Sequence, residues 1–252
     1  ILENVMTRLI NTYIENETIL QFSGGVFYNV KLNNVILNTF VSKVALIEFM
    51  PLCGDQGAAI GFLPRLTMEE FNWGLRNTEK YALELESVHR ITLIVDTCME
   101  FGPRALGSTS CIADPTAAAT EYINMLNGRP NIMPMAPMIS FDMADKYCRH
   151  IDTLGKCKQF MICAVDWLGP IDECRGVLHK RPLKETYTCR PQVVDNYFTK
   201  ARGIVINTSL NAHGQPIIYD SEDFEKMRDI HEACKKIYEQ SEVSEMSLER
   251  YN

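Results

Sequence analysis

Around one Gly-Pro turn, Met99-Glu100-Phe101-Gly102-Pro103-Arg104-Ala105-Leu106-Gly107, a glutamate and an arginine stand within a few residues of each other. A guanidinium fixed by such a turn presents a planar fork of donors suited to phosphate or carboxylate. The same spacing also fits an exposed arginine in an ordinary turn. Two more arginines sit beside prolines, Arg129 before Pro130 and Arg190 before Pro191, and for each a surface ion pair is the plain alternative. Asn207-Thr208-Ser209-Leu210-Asn211 gathers amides and hydroxyls that could orient a small polar group. Ser23-Gly24-Gly25, after the apolar run Thr18 to Phe22, could aim backbone N–H groups at an anion or ribose, or simply join strand to helix. Asp55, after Gly54, reads as a helix N-cap or as a ligand.

These residues need elements to position them. Apolar side chains at helical spacing from Ile1 to Tyr13 predict an opening amphipathic helix. Strands are expected at 18–22, 44–49 and 91–95, with helices over about 26–37 and after Gly54. Pro64 to Thr67 reads as a boundary, and Thr67 with Glu70 forms a capping box for a polar helix to about Glu86. Asp114 and Pro115 look like the N-cap and first turn of a helix from Thr116 to Leu126. Pro130, Pro134 and Pro137 suggest a loop, and Ser140 a cap for a short helix to Cys148. Further strands are expected at 160–165, 188–194 and 203–206, then a helix from Ser221 to Tyr238 and a fraying polar tail from Glu239.

A chain of 252 residues with 46% hydrophobic and 23% charged residues can bury one large or two modest cores. Its formal net charge of −7 argues against coating duplex nucleic acid, which needs basic surface. No apolar run has the length of a membrane span. Nine cysteines include no C-x-x-C pair, which points to reduced thiols and a cytoplasmic setting. The chain opens on Ile1 inside a helical pattern, as a piece of something longer would.

The turn at Arg104, continuing through Ser108-Thr109-Ser110-Cys111-Ile112-Ala113-Asp114-Pro115, resembles the hallmark of the O-carbamoyltransferases of antibiotic and nodulation-factor biosynthesis. The likeness extends along nearly the whole chain. Ser23-Gly24-Gly25-Val26 with Asn29 resembles the G-G-V-A-x-N turn of that family's actin-like (ASKHA) domain, and Pro51 to Gly61 its closing P-P-x-x-x-D-A-G-x-A-x-G. From Glu100 onward the chain is similar to the family's YrdC-like domain, including Met135-Ala136-Pro137, Arg190-Pro191-Gln192-Val193 and Asn207 to Asn211 with His213-Gly214-Gln215-Pro216-Ile217-Ile218.

The resemblance implies an α/β fold, with the remnant of an actin-like domain over residues 1–66 and a YrdC-like domain over 67–252. It implies condensation of carbamoyl phosphate with ATP to carbamoyladenylate, then transfer of the carbamoyl group to an acceptor hydroxyl. Arg104, Arg129, Arg190, Thr208 and Ser209 inherit catalytic roles. Gly24, Gly25, Asn29, Glu100, Asn207 and Asn211 inherit cofactor binding, and Asp55 a divalent metal, iron or magnesium; Glu100, acceptor-only when ionised, would orient an arginine or a ribose rather than bind phosphate. The acceptor is a small molecule or nucleotide, and a partner chain, identical or not, supplies the rest of the actin-like domain.

Departures qualify that implication. Cys98, Thr109 and Met133 replace arginines of the family pattern, Asn127 replaces a lysine, and Lys184 to Thr188 replaces H-V-D-G-T. The five histidines contain no H-x-x-x-H pair for the family's metal. A catalytically degenerate subunit that scaffolds or regulates an intact relative is therefore the alternative expectation.

Overall fold

A computed structural model describes residues 1–14, 18–61, 74–75, 80–85, 89–96, 98–130, 135–182 and 184–249. Helix α1 (Leu2–Tyr13) leads to strand β1 (Ile19–Phe22), a 3-10 turn (Gly25–Tyr28), α2 (Val30–Phe40) and β2 (Leu46–Phe49). β1 and β2 pair in parallel, Ile19 against Leu46 through Phe22 against Phe49, with α2 as the crossover. Phe22 packs on Phe27 and Phe49 with ring centroids 4.8 and 5.2 Å apart. Helix α3 (Asp55–Gly61) follows β2.

The larger sheet is built from β4 (Tyr81–Leu85), β5 (Ile91–Val95), β7 (Thr109–Ala113), β8 (Ala136–Ile139), β12 (Gln192–Val193) and β13 (Ile204–Ser209). Its order is β12-β8-β13-β7-β5-β4, antiparallel except for the parallel β12–β8 pair. β5 and β7 are buried at every position because both faces of the sheet are covered. Leu93, Cys111, Ile139 and Ile206 point into the main core, while their neighbours Ile94, Ile112, Met138 and Val205 pack on the other face beneath Phe198. Phe198 belongs to α6 (Tyr197–Arg202). Two small sheets complete the strands: β3 (Gly74–Leu75) with β6 (Cys98–Met99), and β9 (Val165–Asp166), β10 (His179–Lys180) and β11 (Tyr187–Cys189) with β11 central. The remaining helices are α4 (Ala117–Leu126), α5 (Phe141–Tyr147), α7 (Ser221–Glu249) and 3-10 turns at Ile151–Gln159 and Arg175–Val177. The buried side chains of α1, α2, β1 and β2 join those of the larger sheet in one core.

Several expectations are corrected. The polar helix to Glu86 is replaced where the chain is described: 74–75 and 81–85 are strands, since Tyr81, Leu83 and Leu85 alternate with polar or small neighbours and pair with β5. Its capping box at Thr67 and Glu70, and the boundary at 64–67, lie outside the described residues. The cap of α4 is Thr116, whose hydroxyl accepts from Ala119 N–H at 3.2 Å. Asp114 instead takes Arg90, with Nη2 to Oδ1 at 2.7 Å. Pro137 is in a strand. It shares its hydrogen-bonding side with Ile139, whose carbonyl receives Val194 N–H, so its missing N–H faces the edge beyond the short β12. The second helix begins at Val30 rather than 26, because Gly25–Tyr28 is a 3-10 turn. The strand expected over 160–165 is confined to β9, and α7 continues through most of the expected tail. None of the nine cysteines is in a disulfide, and among the described residues no helix is long and apolar enough to cross a membrane.

Candidate functional site

Four chain segments bring their polar side chains to one pocket of about 270 Å³. The first is the turn between β6 and β7, which carries Arg104. Glu100 braces it: one carboxylate oxygen accepts N–H groups from Leu106 and Ser108, both at 2.7 Å, and Thr109 at 3.1 Å. From the sheet side, Gln192 donates to Leu106 O at 2.8 Å, and Asn207 Nδ2 donates to Ala105 O at 3.0 Å and to Gln192 Oε1 at 2.7 Å. Gly102 adopts φ +124°, and a Cβ there would come within 2.8 Å of Leu52 Cδ2, so the turn rests on the loop after β2.

The second segment leaves α4 and carries Arg129, whose Nη1 donates to Thr208 Oγ1 at 2.8 Å. The third is the break between β11 and β12, which holds Arg190. The fourth is the end of β13 and the turn after it. There Ser209 Oγ donates to Asn211 Oδ1 at 2.7 Å, and Asn211 Nδ2 donates to Ala212 O and Gln215 O at 3.2 and 2.9 Å.

The pocket wall thus includes Arg104, Arg129, Arg190, Asn207, Thr208, Ser209 and Asn211, with His213 and Met161 also on it, and among the described residues no carboxylate. None of the three arginines makes an ion pair among the described residues. The Nε atoms of Arg104 and Arg190 are buried with no hydrogen-bond partner. Burial lowers the pKa of Arg104 and of Arg129. Burial, reinforced by the charges of Arg104 and Arg129, pushes Arg190 down to about 10. All three remain cations near neutrality, and their mutual repulsion calls for an anion between them.

Other residues named from the sequence are placed elsewhere. Glu100 is committed to the backbone of the Arg104 turn, the role a buried carboxylate takes when three N–H groups converge on it. Asn29 caps α2, accepting from Leu32 N–H at 3.2 Å, and Gly24 and Gly25 form the start of the 3-10 turn. None of these four lines the pocket. Asp55 is the first residue of α3 and is exposed. Among the described residues no group of three His, Cys, Asp or Glu side chains could hold a metal, so Asp55 alone does not fit a metal centre. The loops bearing Gly25 and Asp55 nonetheless reach the site. Tyr28 accepts Gly54 N–H at 3.3 Å and donates to Gln56 Oε1 at 3.2 Å. Burial raises the pKa of the Tyr28 hydroxyl and of the Cys53 thiol, and the charge of Arg104 pulls both back.

Sequence reasoning missed Gln192 as a clamp and His213 as a wall residue. Both lie inside motif blocks already singled out, Arg190 to Val193 and His213 to Ile218, and that position was the available signal. Met133 lies outside the described residues. Asn127 is fully buried with both amide atoms unpartnered, and Cys98 is exposed on β6.

Residues 84–233, more than half of the chain, match the family model described as carbamoyltransferase C-terminus. An uncharacterized protein of Methanocaldococcus jannaschii is 30% identical over 88% of this chain and 50% of its own length. The nodulation protein NolNO of Sinorhizobium fredii is 25% identical over 79% of this chain and 36% of its own length. NolO of Bradyrhizobium diazoefficiens, also a nodulation protein, is 25% identical over 82% of this chain and 45% of its own length. The chain spans about half the length, or less, of these curated relatives. The three pocket arginines all fall inside the matched segment, and the chain belongs to the carbamoyltransferase C-terminal family.

Proposed function

We propose that this chain activates a carbamoyl group for transfer to an acceptor hydroxyl, with carbamoyl phosphate and ATP as co-substrates. The observation that carries this reading is the convergence of three guanidinium groups, with no carboxylate among the described lining residues, on one pocket beside paired hydroxyls. Two phosphate-bearing substrates repel each other, and fixed cations offset that repulsion most effectively where water is excluded. The volume of about 270 Å³ suits carbamoyl phosphate or the triphosphate end of a nucleotide. Arg104 and Arg190, with unpartnered Nε atoms, are the phosphate donors. Thr208 already accepts from Arg129, so its own hydroxyl proton is free for a substrate oxygen. Ser209 spends its proton on Asn211, which leaves its lone pairs for the carbamoyl NH₂.

In this reading residues 1–66 are the end of an actin-like domain and 67–252 a YrdC-like domain. The rest of the actin-like domain, with its metal, comes from another polypeptide or a further part of the same one. The acceptor is a sugar, an antibiotic or a modified nucleotide.

A second reading, a degenerate subunit that scaffolds an intact relative, draws on Asn127 and Cys98. Each stands where the resembling enzymes carry a cation, and Asn127 offers a buried neutral amide instead. Calorimetric titration of ATP and of carbamoyl phosphate into wild type and Arg104→Ala separates the two. The activating role requires binding that Arg104→Ala weakens by about 1.5–3 kcal/mol, the range for a hydrogen bond to a charged group. Equal affinities in the two proteins, or no binding to either, would remove the activating role.

A further inference from the structure

His213 lines the cationic pocket without its side chain taking part in the pocket's hydrogen-bonded frame. The turn that carries it is firmly held. Its own N–H donates to Asn127 O at 2.7 Å, Gln215 N–H donates to Ala212 O at 3.0 Å, and Asn211 Nδ2 fastens both ends of the turn. Gly214, at φ +79°, makes the reversal possible. The residue is exposed at the rim, and its ring makes no hydrogen bond or ion pair among the described residues. The imidazole stands on the wall of a pocket that holds three guanidinium groups and, among the described lining residues, no carboxylate.

We infer that His213 is a fourth anion-binding group of this pocket, donating as an imidazolium to an oxygen of a bound phosphoryl group, so that the pocket's affinity for dianions depends on pH. The inference rests on reading the pocket as an anion site. The charged groups facing His213 are Arg104 from the turn before β7, Arg129 from the loop after α4 and Arg190 between β11 and β12. All three stay protonated through the range in which a histidine titrates. The end of α4 against which the turn packs offers the neutral Asn127 carbonyl. His179, the other histidine near Arg190, keeps its Nε2 on Met135 O at 3.2 Å and does not line the pocket. Among the described lining residues His213 is the histidine, the residue type that can gain a charge beside the three fixed cations. A dianion raises the affinity of His213 for its second proton. The added binding is present at low pH and is lost as pH rises through the histidine range.

Sulfate is the probe, because it stays a dianion throughout and contributes no titration of its own. Calorimetric titration at constant ionic strength, at about pH 5.5 and about pH 8.5, reads the effect. Wild type should bind sulfate roughly three- to fivefold more tightly at the lower pH, the size of one exposed charge pair. His213→Gln should bind equally at both values. His213→Lys, with a fixed cation, should bind at both values as wild type does at the lower one. His179→Gln should keep the wild-type ratio, which assigns the titration to His213. A pH ratio retained in His213→Gln, or absent from wild type that does bind sulfate, overturns the inference while leaving the anion pocket standing. No sulfate binding by wild type at either pH removes the pocket reading and this inference together.

Discussion

Arg190 holds its charge in a poorer place than either neighbouring arginine. Its Nε is buried without a partner, and the other two guanidinium groups add repulsion to the cost of burial. Replacing even a paired buried charge by apolar side chains of similar volume is often neutral or stabilising by about 1–4 kcal/mol, and an unpaired one gains more from the exchange. We expect Arg190→Met to melt higher than wild type without ligand, by about 2–4 °C for each kcal/mol gained; phosphate should raise the melting temperature of wild type and leave that of the variant unchanged. Thermal denaturation with and without phosphate checks both parts, and a lower melting point for the unliganded variant would show that Arg190 is already compensated. At this scale the motifs were informative. Arg104, Arg129, Arg190 and the Asn207 to Asn211 block do share a pocket although they are far apart in sequence. Glu100 was legible only in part, as a carboxylate that orients either an arginine or a ribose. A carboxylate that accepts three backbone N–H groups and one that touches a ribose look identical as letters, and only the path of the chain from Leu106 to Thr109 distinguishes them.

Helix α2 is fixed to the larger part of the molecule by two buried asparagines. Asn33 Nδ2 donates to Phe27 O and to Ile162 O, both at 2.7 Å. Asn34 Nδ2 donates to Ala164 O at 2.9 Å, and its carbonyl accepts from Arg181, which also pairs with Asp166. An amphipathic helix would present apolar side chains to its neighbour, and Leu32, Ile36 and Leu37 do so. The asparagines serve another need. The segment 162–166 runs past α2 with carbonyls that no strand satisfies over most of its length. Asn33→Ala strands two carbonyls, at roughly 1–3 kcal/mol each, less a relief for its own unpartnered Oδ1, so we expect a loss of about 2–4 kcal/mol. Asn38→Ala, exposed on the same helix, should stay within about 0.5 kcal/mol. Urea denaturation measures both, and similar values would mean that Asn33 is not a tie between elements. Elements with a strong local period, such as α1, β5 and the first turns of α7, were readable from the chain. Within the expected helix to Glu86, the described residues 74–75 and 81–85 are strands, because a capping pattern outweighs a short alternating run such as Tyr81 to Leu85 when the chain is read locally. Only the long-range pairing with β5 decides that run.

At the scale of the whole molecule, the loop after β2 reaches the turn that carries Arg104. The Arg104 turn sits on Leu52, from the loop that follows β2, and Tyr28 pins that loop through Gly54 and Gln56. The position of Arg104 therefore depends on a part of the chain that contributes no pocket residue, a dependence that motif reading cannot supply because each motif was read within its own segment. Gly102 is where it can be tested. Gly102→Ala meets two obstacles there: φ +124°, which an L side chain adopts at a cost of roughly 1–3 kcal/mol, and Leu52 Cδ2 at 2.8 Å from the new Cβ. Both push the turn off its seat, and Arg104 moves with it. We expect Gly102→Ala to bind phosphate about tenfold or more weakly, as the misplacement of a charge-assisted donor would give. Leu52→Ala should bind near wild type, since Leu52 does not line that pocket. The double variant should recover the steric share of the loss and keep the conformational share, an interaction energy of about 0.5–3 kcal/mol between residues in contact. Phosphate titrations of the four proteins complete the cycle. Strictly additive losses would mean that Leu52 and the turn are neighbours without coupling, and that the larger sheet alone positions Arg104. A non-additive recovery would mean that the loop after β2 helps to hold the anion site in register, so that any movement of the β1–β2 unit is felt at the pocket through Arg104.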